Sequence, residues 1–268
     1  MGMEIITSTS NAQIRRVATL LGKTAARREA DLFVVEGPKM FSEAPRERIA
    51  QVFVSESFYW EAGRAKELEG LRVSVVADPV FTRMSDTRTP QGVLCLVRCF
   101  HYREEDLIGA GAGNAPFVLV LENLQDPGNL GTILRTGEGA GVTGVLLGPG
   151  CVDVYNPKVI RSTMGSVYRV PFAVTEDLTG SIRALQRRGI RVYAAHLGGR
   201  MDYDEPDYTK GSAFLIGNES KGLTDETAAL ADTPVRIPML GQVESLNAAM
   251  ACGILSYEAA GQRRRRST

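Results

Sequence analysis

The chain predicts an α/β protein in two parts, and three features carry that prediction. Apolar runs and helix-spaced segments alternate from residue 116 onward, and a stretch of small residues divides the chain near residues 103–115. The 268 residues, 44% hydrophobic and 23% charged, are enough for one large domain or two ordinary ones. Strand–helix alternation implies a parallel sheet covered on both faces, with ligands at the carboxyl ends of its strands.

Taken in order, residues 11–21 have helical spacing at Ile14, Val17, Ala18 and Leu21. Short apolar runs follow at 32–35, 52–54, 73–76 and 93–97, with helical segments between some of them, so residues 1–102 read as a small α/β domain. Glu36-Gly37-Pro38 marks a sharp strand-to-helix corner, because the fixed φ of proline suits a first helical turn. In 103–115, Glu104-Glu105-Asp106 gives way to Gly109-Ala110-Gly111-Ala112-Gly113-Asn114, which reads as a linker with too little apolar surface for a core. No strand leads into these glycines and no helix leaves them, so they are not a dinucleotide-binding loop. Beyond them, strands are expected at 117–121, 144–147, 168–172, 191–195, 213–216 and 235–237. Helices are expected at 130–140, 157–164, 178–188, 225–230 and 245–260.

Composition sets limits. No apolar run approaches the roughly 18 residues that span a bilayer. Met1-Gly2-Met3-Glu4-Ile5 lacks a basic region followed by an apolar core, so a cytoplasmic protein is expected. Cys95, Cys99, Cys151 and Cys252 form no Cys-x-x-Cys pair, and only His101 lies near the first two, so buried reduced thiols are expected and no metal. Lys plus Arg and Asp plus Glu number 31 each, so there is no global basic signal. Local clusters at Arg15-Arg16, Arg27-Arg28, Arg187-Arg188 and Arg263 to Arg266 could still meet phosphates.

Three segments carry chemistry. Glu122-Asn123-Leu124-Gln125-Asp126-Pro127-Gly128-Asn129 turns the first strand into a helix, with Asn129 expected to cap it, Leu130, Ile133 and Leu134 buried, and Arg135 pointing off that stripe. Leu215-Ile216-Gly217-Asn218-Glu219-Ser220-Lys221-Gly222-Leu223 holds Glu219 in a tight return between two glycines. Ile237-Pro238-Met239 leads through Gly241 to Glu244-Ser245-Leu246-Asn247, placing Ser245 and Asn247 at a helix start beside an apolar loop. By themselves Asn129, Ser245 and Asn247 are equally well read as helix caps, Arg135 as a surface cation and Glu219 as a solvated acid in a turn.

In this order and at these strand ends, the three segments resemble the SpoU family of RNA ribose 2′-O-methyltransferases, TrmH-like members of the knotted SPOUT superfamily. The resemblance covers Phe117 to about Tyr257. A weaker one links Phe33-Val34-Val35-Glu36-Gly37 and Thr89-Pro90-Gln91-Gly92-Val93 to the ribosomal-protein-like substrate-binding domain that often precedes it. The resemblance implies a methyltransferase domain over 116–268 with a deep trefoil knot, a rare exception to the rule against threading. It implies S-adenosyl-L-methionine as cofactor, structured RNA as substrate, and a homodimer whose active site takes residues from both subunits. It places Ala195, His196, Gly217, Ile237, Met239 and Leu246 around the cofactor, and Asn129, Arg135, Glu219, Ser245 and Asn247 at the catalytic centre. Arg15, Arg16, Arg27, Arg28 and Lys39 are the expected RNA contacts of the first domain. Ala248-Ala249 stand where the family commonly has a branched residue and a serine, which removes at most a minor hydrogen bond.

Large-subunit ribosomal RNA is the favoured substrate, with transfer RNA as the alternative. A knotted RNA-binding protein without catalysis is the rival from another class, and the presence of all five catalytic candidates argues against it. A nucleotide-dependent oxidoreductase fails for want of a glycine fingerprint and a ribose-binding acid.

Overall fold

The computed structural model describes residues 4–109 and 115–266; Met1-Gly2-Met3, Ala110 to Asn114 and Ser267-Thr268 lie outside the described residues. In chain order the elements begin with β1 (Ile5–Ile6), α1 (Ala12–Gly22), α2 (Thr24–Ala30), β2 (Leu32–Glu36), α3 (Pro38–Glu43) and β3 (Ile49–Ser55). Next come α4 (Glu56–Trp60), α5 (Arg64–Leu68), β4 (Val73–Val76), α6 (Asp78–Met84), β5 (Val93–Arg98), β6 (Phe117–Leu121), α7 (Pro127–Ala140), β7 (Gly144–Leu147) and α8 (Pro157–Thr163). The chain closes with β8 (Phe172–Val174), α9 (Leu178–Arg187), β9 (Arg191–Ala195), β10 (Met201–Asp202), β11 (Ser212–Ile216), α10 (Asp225–Ala228), β12 (Thr233–Arg236) and α11 (Ala248–Arg266). These form two compact units: the chain up to Phe100 with Asp153–Tyr168, and His101–Val152 with Arg169–Thr268.

The first unit is built on a mixed five-stranded sheet, order β1-β4-β3-β5-β2, in which β5 runs antiparallel to both β2 and β3. Val17 and Leu20 of α1 and Phe81 of α6 pack with Val34, Phe53, Val76, Leu94 and Leu96 of the sheet. Asn11 caps α1 by accepting from the Gln13 amide at 2.8 Å. The corner after β2 forms at Gly37, whose φ of 97° leads into Pro38 at the head of α3. Tyr155 stacks on Phe33 with ring centroids 4.6 Å apart, and the Tyr168 hydroxyl donates to the Met40 carbonyl at 3.0 Å.

One expected surface arginine is interior. Arg27 is only 3% exposed; its Nε and Nη2 donate to Asp153 at 3.0 and 2.6 Å, Nη1 to the Leu20 carbonyl at 2.7 Å, and Nη2 to Thr24 at 2.9 Å. A guanidinium desolvated in this way persists only with partners for its charge and its N–H groups. Arg27 therefore holds the unit together and is not presented to RNA, which corrects the expectation.

The second unit has seven strands in the order β10-β12-β9-β11-β6-β7-β8, every adjacent pair parallel. All residues of β6, β7 and β11 are buried, and since side chains alternate across a strand, both faces of the sheet centre are covered. The 168–172 strand is displaced: Ser166–Tyr168 forms a 3₁₀ turn, and β8 begins only after Pro171, which has no N–H to give a ladder. The beginning of the expected linker is also structured. Glu104–Ile108 is a 3₁₀ helix whose Leu107 is buried in the core of this unit, close enough that a Cβ on Gly144 would lie 2.6 Å from the Leu107 Cα.

Candidate functional site

The chain moves from β6 to β7 on one side, while β11 returns to the other side of β6, so the crevice between the carboxyl ends of β6 and β11 is the topological switch of the sheet. A cavity of about 350 Å³ opens beside this crevice, at the carboxyl ends of β9, β11 and β12. Ala195 and His196 line it from the end of β9, Gly217 and Glu219 from beyond β11, and Ile237, Met239, Ser245 and Leu246 from beyond β12. Leu197, Asn218, Ser220 and Lys221 also line it and were not singled out in the sequence, although Asn218 and Lys221 belong to the same glycine-bounded segment. Asn129, Arg135 and Asn247 are not among its lining residues.

Asn129 is not the helix cap. Asp126 is, accepting from the Asn129 amide at 2.8 Å, with Pro127 in the first helical position. The Asn129 side chain is thereby free for longer-range work. Its Nδ2 donates to Glu219 Oε1 at 3.1 Å, and its Oδ1 accepts from Asn247 Nδ2 at 3.0 Å. Asn247 is the residue that starts α11: its Oδ1 accepts from the amides of Ala249 and Met250 at 2.9 and 3.2 Å, so the expected helix from 245 begins at Ala248. That capping contact leaves the amino group of Asn247 to face Asn129, and so fixes the amino group of Asn129 towards Glu219. One directed chain of hydrogen bonds thus ties the three sequence segments together.

Glu219 is the hub. Its carboxylate also accepts from the amides of Gln125 at 3.1 Å and Asp126 at 2.8 Å. Partial burial alone would raise its pKa, but the amides of Asp126, Gln125 and Glu219 itself and the Asn129 donor outweigh this and hold the carboxyl below its usual range. The hairpin that carries it is closed by Asn218 and Gly222, which exchange backbone hydrogen bonds at 3.0 and 2.9 Å. Asn218 Nδ2 reaches the Asn123 carbonyl at 2.8 Å, and Asn218 Oδ1 receives the amides of Ser220 and Lys221 at 3.0 and 3.1 Å. Gly217 permits this closure, since a Cβ there would lie 2.1 Å from the Gly222 carbonyl carbon and 2.2 Å from the Leu223 nitrogen.

Arg135 stands six residues along α7 from Asn129, a rise of about 9 Å. It is exposed and makes no hydrogen bond or ion pair among the described residues. Residues 237–246 likewise make no hydrogen bond among them through backbone or side chain. In the first unit Arg15, Arg16, Arg28 and Lys39 are exposed. The thiols of Cys95, Cys99 and Cys252 are buried and pushed up to about 12, chiefly by burial, which leaves them inert at neutral pH; Cys151 is raised for the same main reason.

Fold and site together define an α/β protein with a mixed-sheet first unit and a parallel-sheet second unit that carries a strand-end ligand site. The chain belongs to the SpoU rRNA Methylase family, whose profile matches residues 116–257, and residues 11–95 match the MRM3-like substrate binding domain. It is 31% identical over 262 residues, 97% of this chain and 100% of the relative, to the 23S rRNA (guanosine(2553)-2′-O)-methyltransferase RlmP of Bacillus subtilis. Among solved structures it is similar to an AdoMet-bound rRNA methyltransferase from Sinorhizobium meliloti, with 30% identity, 99% of both chains covered and a TM-score of 0.83. It also resembles the methyltransferase AviRb from Streptomyces viridochromogenes in complex with AdoMet, at 26% identity over 95% of this chain and 98% of that one, with a TM-score of 0.84.

Proposed function

We propose that the chain is an S-adenosyl-L-methionine-dependent ribosomal RNA ribose 2′-O-methyltransferase, and that its target lies in the large-subunit RNA. The observation that carries the proposal is the hydrogen-bond chain Asn247–Asn129–Glu219 at the rim of the strand-end cavity. The full-length similarity to the B. subtilis 23S rRNA enzyme supports the choice of RNA. The same reading includes the trefoil knot, the division of labour between an RNA-recognising first domain and a catalytic second one, and a cytoplasmic location, where such RNA is modified.

The cavity suits the cofactor. About 350 Å³ lies in the range of small-ligand sites, and its walls combine apolar side chains such as Ile216, Val235 and Leu255 with backbone groups of Ile237 and Met239 that have no partner in the described chain. Those groups suit the polar edge of an adenine, while Ala195, His196, Gly217 and Leu246 form the rest of the enclosure. When bound, the cofactor supplies a methyl group on a positively charged sulfur, with a neutral leaving group.

The chain's residues then have two tasks. Asn129 and Glu219, with Ser245 and Asn247, hold the nucleotide so that its 2′-oxygen lies in line with the methyl carbon. With the cofactor bound, that oxygen would take up the methyl group and give its proton to solvent. Arg135 stabilises the negative charge developing on that oxygen; a guanidinium with a pKa above about 12 does not serve as a base. Because Arg135 is exposed and unpartnered, we assign it to a site completed by a second subunit. Leu240, Val243, Met250 and Tyr257, which are 101%, 62%, 60% and 57% exposed, supply an apolar surface for that homodimer.

Arg135→Ala tests the assignment. Turnover of unmodified 23S rRNA with labelled cofactor should fall on the order of 100- to 1,000-fold while cofactor affinity stays unchanged. Weakened cofactor binding with normal turnover would refute the role.

A further inference from the structure

We propose that Lys221 is the positioning cation for the phosphodiester adjacent to the target ribose, so that the rim of the cavity grips the RNA backbone beside the reacting hydroxyl. The inference rests on the methyltransferase reading above and assigns it one further RNA-contacting residue.

Lys221 lines the cavity, is exposed, and its side chain makes no hydrogen bond or ion pair among the described residues. The neighbouring charges are already committed. Arg236, the other strong cation of the lining, pairs with Asp202 at 2.7 Å, and the Glu219 carboxylate is taken by the Gln125 and Asp126 amides and Asn129. His196 Nδ1 accepts from the Gly198 amide at 3.1 Å. Lys221 is therefore a cation with no ion-pair partner among the described residues.

Its backbone is fixed. The Lys221 amide donates to Asn218 Oδ1 at 3.1 Å, inside the hairpin closed by the Asn218–Gly222 pair. The backbone from which the ammonium reaches out is thus fixed two residues from Glu219. In RNA the 2′-hydroxyl and the 3′-phosphodiester sit on adjacent ribose carbons, so a site that receives the hydroxyl must receive that phosphate as well. A compact ammonium on a flexible stem suits this anion, because it needs charge and reach without fork geometry. Such a contact positions the chain without reading sequence. It also offsets the phosphate's repulsion of negative charge on the neighbouring oxygen. The rival anion is the carboxylate of the cofactor, but that molecule also carries an ammonium and a sulfonium, so a free lysine gains less from it.

The test uses the full chain and an unmodified 23S rRNA transcript, with Lys221→Gln and Lys221→Arg. Methyl transfer, direct RNA titration and S-adenosylhomocysteine titration are each followed at several salt concentrations. Lys221→Gln should weaken RNA binding several-fold and lower the log–log salt slope of RNA affinity by about one, while Lys221→Arg restores most of both. Cofactor affinity should stay within about twofold, since the floor of the cavity is untouched. An unchanged RNA affinity and salt slope overturns the inference, and so does any larger loss of cofactor affinity, which would make the carboxylate the true partner. Absence of turnover in the wild-type protein would sink the methyltransferase reading instead, and the RNA titration would still decide the role of Lys221.

Discussion

Two walls of the same cavity are built in opposite ways. The hairpin after β11 spends nearly every polar group it has: Asn218 alone uses its backbone and both ends of its side chain, and Glu219 accepts from two amides and a side-chain amide. Residues 237–246, facing it after β12, make no hydrogen bond among the described residues. Asn129, Glu219 and Asn247, three of the groups proposed to align the ribose, are held in place before any ligand arrives, which removes a reorganisation cost at the reacting centre. The groups proposed to hold the cofactor remain available for it. Preorganisation is concentrated where geometry decides rate, and polar capacity is left where affinity is needed.

The sharpest way to break this contrast is Gly217→Ala. The added Cβ meets backbone atoms of Gly222 and Leu223 between 2.1 and 2.4 Å, so the hairpin must open. We expect a loss of about 3 kcal/mol in denaturant unfolding and loss of cofactor binding; wild-type binding by the variant would show that the wall is not rigid. Glu219→Gln comes next, at about 1–3 kcal/mol, because an amide cannot accept from all the donors that the carboxylate serves. The effect should depend on pH with a definite sign. A carboxyl whose folded pKa is depressed contributes its stability above the unfolded value, about 4.3, and loses it as pH falls through the folded value. The gap between wild type and variant should therefore be full at neutral pH and close in acid, and a gap constant with pH would remove Glu219 as the hub. Gly241→Ala, in the opposite wall, meets open space and should change stability by no more than about 0.5 kcal/mol. A large loss there would mean that the loop is as constrained as the hairpin.

Much of this was legible before any coordinates. Strands β6, β7, β9 and β11 are short apolar runs ending in polar turns, and the helices that follow β6, β7 and β8 point to parallel pairing, although none lies between β9 and β11. The loops that meet at the cavity could be named because each carries unusual residues at a strand end. What was misread involves competition between neighbours. Asn129 and Asp126 are both good caps, and Pro127, tolerated best in the first helical position, was the clue that favours Asp126. Arg27 and Arg28 are adjacent and identical in type, yet one is interior and the other exposed, a choice made by Asp153 far along the chain. The Glu104–Ile108 turn escaped notice because one buried leucine is too little periodicity to detect.

The buried arginine has a practical consequence for anyone wishing to excise the N-terminal half. A fragment ending at Phe100 would keep Arg27 and its carbonyl partners but lose Asp153, along with the aromatic contact from Tyr155 to Phe33. Stranding an interior charge in that way costs about 3–5 kcal/mol, comparable to the whole stability of a small domain. Gene fusions or truncations designed from the glycine-rich junction would thus yield a destabilised product, and a graft of this unit onto another scaffold has to bring the distant Asp153–Tyr168 segment with it.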